Sequence, residues 1–182
     1  MDKGRDFWKY FWQIDRFGRY EWNQRRQHFR KSSSARTQWL KKGSCVGISK
    51  GGKTTKIHLT TDKKGRPVRI NLSAGNVNDS LLFEEQISGT NLEGAIVLAD
   101  RAYSTYEIIE SLKAKGAIIC IPPKSNMKYS WFYDKKLYKS RNKIERFFQF
   151  LKNNRRIATR YDRLDNTFTS FIYFSSIIFW LK

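Results

Sequence analysis

The clearest periodicity in this 182-residue chain lies in its middle and carboxyl-terminal parts. Lys56-Ile-His-Leu-Thr-Thr61 alternates and is rich in β-branched residues. Asp62-Lys-Lys-Gly65 has turn chemistry, and Pro67-Val-Arg-Ile-Asn-Leu72 alternates again, so the spacing predicts a hairpin. Gly75-Asn-Val-Asn-Asp79 leads into a helix over residues 80–87, with Asp79 placed to cap it. Ala95-Ile-Val-Leu-Ala99 is apolar throughout, the pattern of a strand covered on both faces. A helix near 105–115 and a second apolar run, Ala117–Ile121, follow, and Pro122-Pro123 stops that strand. Tyr138–Lys152 reads as a helix burying Ile144, Phe147 and Leu151. The apolar tail from Phe168 to Leu181 is shorter than a bilayer span and is broken by Thr169, Ser170, Ser175 and Ser176, which predicts a packed terminal helix. The order of hairpin, helix, strand, helix, strand, helix indicates an α/β protein.

Upstream of residue 46 this regularity fails. Asn23-Gln-Arg-Arg-Gln-His-Phe-Arg-Lys-Ser-Ser-Ser34 shows no strand alternation, and residues 30–52 are rich in Lys and Ser. The chain therefore divides, as a sequence, into a basic leading segment over 1–45 and a patterned core over 46–182.

Charge narrows the class of partner. Thirty-six Lys and Arg against sixteen Asp and Glu give a net charge of +20, which calls for a polyanion. The excess sits in residues 1–52 and 124–163, where phosphate contacts are the natural use and interleaved aromatics allow base stacking. Cys45 and Cys120 have no metal-ligand spacing and read as reduced thiols of a cytoplasmic protein. His28 and His58 make no zinc pair and read as surface or strand histidines. No secretory signal and no membrane span are visible.

Two carboxylates stand out. Asp100 closes a buried strand at its carboxyl end, the edge where α/β sheets bind ligands. Glu145 lies in Tyr138-x2-Arg141-x3-Glu145-x6-Lys152, and at ~100° per helical residue these four fall within roughly 60° of arc. A carboxylate among cations is either an ordinary i,i+4 surface pair or part of a site. A strand-end Asp and a helical Glu could together hold the hard divalent ions used in phosphoryl transfer.

Leu98-Ala-Asp100-Arg-Ala-Tyr103, Ile121-Pro-Pro-Lys124, the Tyr138/Arg141/Glu145/Lys152 signature, Arg156-Ile-Ala-Thr-Arg-Tyr161, Gly47–His58 and Gly75–Asp79 together resemble DDE transposases of bacterial insertion sequences, with the closest likeness to the insertion sequence 5 group. The resemblance covers residues 46–182. It implies a ribonuclease-H-like mixed sheet flanked by helices and Mg²⁺- or Mn²⁺-dependent cleavage at transposon ends. Strand transfer into target DNA by a freed 3′ hydroxyl would follow. It also implies Asp100 as second acid and Glu145 as third, both as metal ligands, with Tyr138, Arg141 and Lys152 positioning Glu145 and the DNA backbone. The setting would be the bacterial cytoplasm, on the nucleoid, with a homo-oligomer on DNA as an open expectation.

The first acid of that triad has no evident counterpart. There is no Asp or Glu between Asn23 and Thr61, which leaves Asp15, Glu21 or none, and a first strand that is missing or degraded, as a frameshift would produce. Two expectations follow: an active transposase, or a DNA-binding remnant without catalysis.

Overall fold

A computed structural model describes residues 11–21, 45–49 and 52–182. The segment 23–34, the histidine His28 and most of the basic leading region lie outside the described residues. Six strands form one sheet: β1 (Phe11–Glu21), β2 (Gly47–Ser49), β3 (Gly52–Thr61), β4 (Pro67–Ala74), β5 (Ile96–Ala99) and β6 (Ile118–Cys120). Their order is β2-β3-β1-β5-β6, and β4 also pairs with β3. The helices are α1 (Phe83–Ile87), α2 (Tyr106–Ala114), α3 (Lys135–Tyr138), α4 (Asn142–Lys152), α5 (Arg155–Ala158) and α6 (Asp165–Trp180), with 3-10 turns at Asp79–Leu82, Arg101–Tyr103 and Lys139–Arg141. The fold is mixed α/β.

Packing divides the chain into two compact units. Of the described residues, one holds 11–16, Leu59–Ile70 and Asn78–Phe147, and the other holds 17–58, Asn71–Val77 and Phe148–Lys182.

In the first unit the hairpin turn forms as its residues demand. Asp62 N–H donates to Arg66 O at 3.0 Å, Gly65 N–H to Asp62 O at 2.9 Å, and Asp62 Oδ1 accepts from the N–H groups of Lys64 and Arg66, both at 2.9 Å. Gly65 has φ +84, and a Cβ there would stand 2.9 Å from Lys143 Cβ, so the turn needs glycine both for its conformation and for the close approach of α4. The continuous run at β5 is buried on both faces, as its composition predicts. Ala95, Val97 and Ala99 join Phe83, Tyr103, Ile108 and Leu112 in one core cluster, whereas Ile96 and Leu98 join Cys120, Tyr133, Leu137 and Tyr138 in another. In the second unit, Gly75 lies so close to Thr54 that any side chain would collide with its hydroxyl.

Several expectations shift. The region expected to lack a first strand contains β1, whose pairing with β5 is parallel: Phe11↔Ile96, Trp12↔Val97, Gln13↔Leu98, Ile14↔Ala99. The reading missed it because Gly18 and four charges obscure any alternation, while a parallel strand is specified by its neighbour. The helix after the Gly75 segment is capped by Asn78, whose side chain accepts from Ser80 N–H; Asp79 is already inside the turn and buried. The expected single helix over 138–152 is a broken one, beginning at Lys135 behind an Asp134 cap and passing through the Lys139–Arg141 turn. The terminal helix is packed on one side only: Phe168 and Ile172 are buried, but Phe174, Ile177 and Leu181 are exposed. No helix among the described residues is long and apolar enough to cross a membrane.

Candidate active site

Asp100 follows β5 directly and is itself extended, with φ −66 and ψ 156. Alternation therefore carries it onto the side of Ile96 and Leu98, the side on which Leu137 and Tyr138 of α3 pack. Its Oδ1 accepts the Arg101 N–H at 2.7 Å, capping the short 3-10 turn. This capping role and a ligand role are compatible, since a carboxylate has lone pairs beyond one hydrogen bond.

Glu145 lies in the first turn of α4 with its side chain half exposed. Arg141 Nη2 reaches its Oε1 at 2.5 Å, the i,i+4 pair expected from spacing. The Arg141 guanidinium carbon lies 5.7 Å from the Tyr138 ring centroid, and Tyr138 meets Tyr133 edge-on at 5.7 Å. Tyr138, Arg141 and Glu145 thus form one chain of contacts rooted in the sheet cluster. The 3-10 turn within it is tighter than an α-helix, so the four signature residues do not share one uniform helical arc. Lys152 is the exposed last residue of α4 and belongs to the other unit.

Cations border the same helices. Lys135, Lys136, Lys139 and Arg146 are exposed, while Lys143 Nζ donates to Lys63 O at 2.9 Å, joining α4 to the hairpin turn. The remaining candidates serve structure. Asp62 is consumed by its turn and by Arg66, whose Nη2 lies 2.6 Å from Oδ2. His58 is fully buried, with Nε2 2.8 Å from Ser73 Oγ. Burial, reinforced by the nearby Asp134 charge, pushes the Cys120 thiol up to about 11, so it is not a thiolate ligand at neutral pH. Among the described residues no group of three or more His, Cys, Asp or Glu side chains is gathered.

Sequence reasoning left the first acid open between Asp15, Glu21 and none, and it missed Arg160. Asp15 comes next after Ile14 just as Asp100 comes next after Ala99, the last pair of the parallel register. Arg160, seemingly one more cation of a basic block, is fully buried in the second unit.

Residues 27–130 match the family described as "Transposase DDE domain", and residues 97–182 match a second family of the same description. The chain belongs to the DDE transposases. Over 133 residues it is 34% identical to a Brucella ovis protein described as a putative transposase for insertion sequence element IS6501, covering 71% of this chain and 99% of that protein. Among solved structures, the piggyBac transposase in a synaptic complex with hairpin DNA is similar at 12% identity and a TM-score of 0.39, over 65% of this chain. The chain spans 24% of that structure's length.

Proposed function

We propose that this chain cleaves and joins DNA strands at the ends of a bacterial insertion sequence of the insertion sequence 5 group, using Asp15, Asp100 and Glu145 as its three acids on a ribonuclease-H-like sheet. The observation that carries the reading is the parallel register of β1 on β5, whose last pair, Ile14↔Ala99, is followed by Asp15 on one strand and by Asp100 on the other. The catalytic core would then consist of 46–182 together with β1, with Asp15 rather than Glu21, which ends the same strand, as its first acid. Supporting the third position, Glu145 is on the helical run whose Tyr138 packs on the sheet side shared with Asp100.

The donor set fits a hard divalent ion. Carboxylate oxygens are the ligands Mg²⁺ and Mn²⁺ prefer, and the neighbouring thiol and the histidine that softer metals would use are buried and otherwise bonded. When bound, such ions activate an attacking oxygen and stabilise the leaving one. Asp15, Asp100 and Glu145 would hold them. The chain's own residues do the rest: Arg141 keeps Glu145 oriented through its ion pair, Tyr138 backs the guanidinium, and Lys135, Lys136, Lys139 and Lys152 meet phosphates. DNA is the partner, in the bacterial cytoplasm on the nucleoid, with two or more copies acting on one DNA.

The test is a cleavage and strand-transfer assay on a plasmid carrying the element's ends, with Mg²⁺ or Mn²⁺. Asp15→Asn, Asp100→Asn and Glu145→Gln should each cut activity by at least about 100-fold, while Asp62→Asn should not. Full activity in Asp15→Asn would remove the first acid from this reading.

A further inference from the structure

The segment between β6 and α3 wraps around the carboxyl end of the sheet and is fastened on both sides. Trp131 packs against the core cluster of Val97 and Ala99, and its indole Nε1 donates to Ile121 O at 2.8 Å. Two residues on, Tyr133 packs against the opposite cluster of Ile96, Leu98 and Cys120. The Cys120 thiol then donates to Asp134 O at 3.4 Å. Further back, Lys124 N–H donates to Ser104 Oγ at 3.2 Å and Tyr129 N–H to the Tyr106 hydroxyl at 2.9 Å.

Phe132 lies between two anchors that grip opposite faces, so its side chain is turned out of the protein: it is 93% exposed. Among the described residues no ring or cation packs against it. A phenyl ring held in water by a tightly fastened backbone is a preformed contact surface, because little conformational freedom is lost when something covers it. Its surroundings select the ligand. Lys128, four residues before Phe132 in the chain, is exposed with Nζ 5.5 Å from the Tyr129 ring centroid, and Lys135 and Lys136, three and four residues after it, are exposed as well. An apolar protein partner would have to desolvate these ammonium groups, whereas a nucleic-acid strand brings phosphates for them and a flat base for the ring.

We propose that Phe132 stacks on an unpaired DNA base, holding a frayed or single-stranded end at the sheet edge where Asp100 lies. This rests on the DNA-processing reading above. A stacking residue there would favour DNA whose end has already lost its pairing, with Lys128, Lys135 and Lys136 holding the flanking phosphates in any sequence.

The experiment is a fluorescence-anisotropy titration of the full chain with a blunt duplex, the same duplex with a short 3′ overhang, and that overhang made abasic. The expected result is binding to the overhang about tenfold tighter than to the blunt or abasic DNA, in line with one base–aromatic stack. Phe132→Ala should erase that preference while leaving blunt-duplex affinity unchanged, and Phe132→Trp should keep it. A preference that survives Phe132→Ala, or an equal loss on all three DNAs, would overturn the stacking role while leaving the DNA reading intact. Absence of any salt-sensitive binding to the blunt duplex would overturn both.

Discussion

Two arginine–carboxylate pairs in this molecule share their chemistry and differ in nearly everything else. In the first unit Arg141 and Glu145 meet on one helical run, with side chains 20% and 49% exposed. In the second, Arg160 pairs with Asp165 with no exposure at the guanidinium. Arg160 also donates to Thr55 Oγ1 at 2.8 Å, Asp162 O at 3.0 Å and Arg163 O at 3.3 Å, and its guanidinium carbon lies 4.9 Å from the Phe168 ring centroid. Asp165 Oδ2 accepts the Cys45 N–H at 2.7 Å. The buried pair sits in a network that reaches Thr55 and Cys45, segments distant in sequence, so it serves the fold. The half-exposed pair can open towards water, a phosphate or a metal at little cost, as a functional carboxylate requires.

The largest effect should come from breaking the buried pair. Arg160→Leu strands Asp165 without its counter-charge and deletes the bonds to Thr55, Asp162 and Arg163, so urea unfolding should report a loss of about 3–5 kcal/mol. Arg141→Gln should cost no more than about 1 kcal/mol in the same measurement. It should nevertheless lower the Mn²⁺ concentration at half-saturation, read by water-proton relaxation, by a few-fold, since a pair formed in the free protein competes with metal. An unchanged Mn²⁺ titration would mean that the pair does not guard Glu145.

Salt sharpens the contrast further. A double-mutant cycle on Arg141 and Glu145 should lose most of its coupling at 1 M salt, where screening reaches within about 3 Å, whereas the Arg160–Asp165 coupling should persist. The smallest effect belongs to a third, more exposed cluster. Glu84 accepts from the Ser111 hydroxyl at 2.5 Å and lies 3.1 Å from Lys115 Nζ. The Ser111 bond, helped by Lys115 and opposed by partial burial, holds its carboxyl below the usual carboxylate range. A depressed folded value means the stabilisation is present above the unfolded value and is lost as pH falls through the folded one. Glu84→Gln should therefore lower the melting temperature slightly near pH 7, and the difference should shrink as pH falls through the folded value.

What the sequence made legible was local. The hairpin, β5, β6 and the Arg141–Glu145 pair all rest on spacings of a few residues, and each formed where its pattern placed it. Asp100 was readable from the abrupt end of an apolar run. The rest depends on contacts between distant segments. β1 takes its place from β5, more than eighty residues away, and the matching positions of Asp15 and Asp100 just past the last register pair emerge only from that pairing. Arg160 looked like any other cation because Thr55, 105 positions earlier, and Asp165 bury it. Trp131, Phe132 and Tyr133 are consecutive aromatics, and only the packing of the sheet end sends two of them inward and one out. In α6, an apolar pattern all the way round could not tell which face would be covered.

The 3-10 turn at Lys139–Arg141 has an evolutionary consequence. Three residues advancing ~120° each instead of ~100° rotate everything downstream by roughly 60°, so Glu145 owes its bearing to this short tightened stretch as well as to the residue count. Natural copies should therefore tolerate many substitutions across Lys139 and Ser140 but almost no insertions or deletions, because one added codon would swing the carboxylate by ~100° and leave the helix intact. Such a lesion would also turn the buried Ile144, Phe147 and Leu151 away from the core, so it would cost the fold as well as the element's own spread.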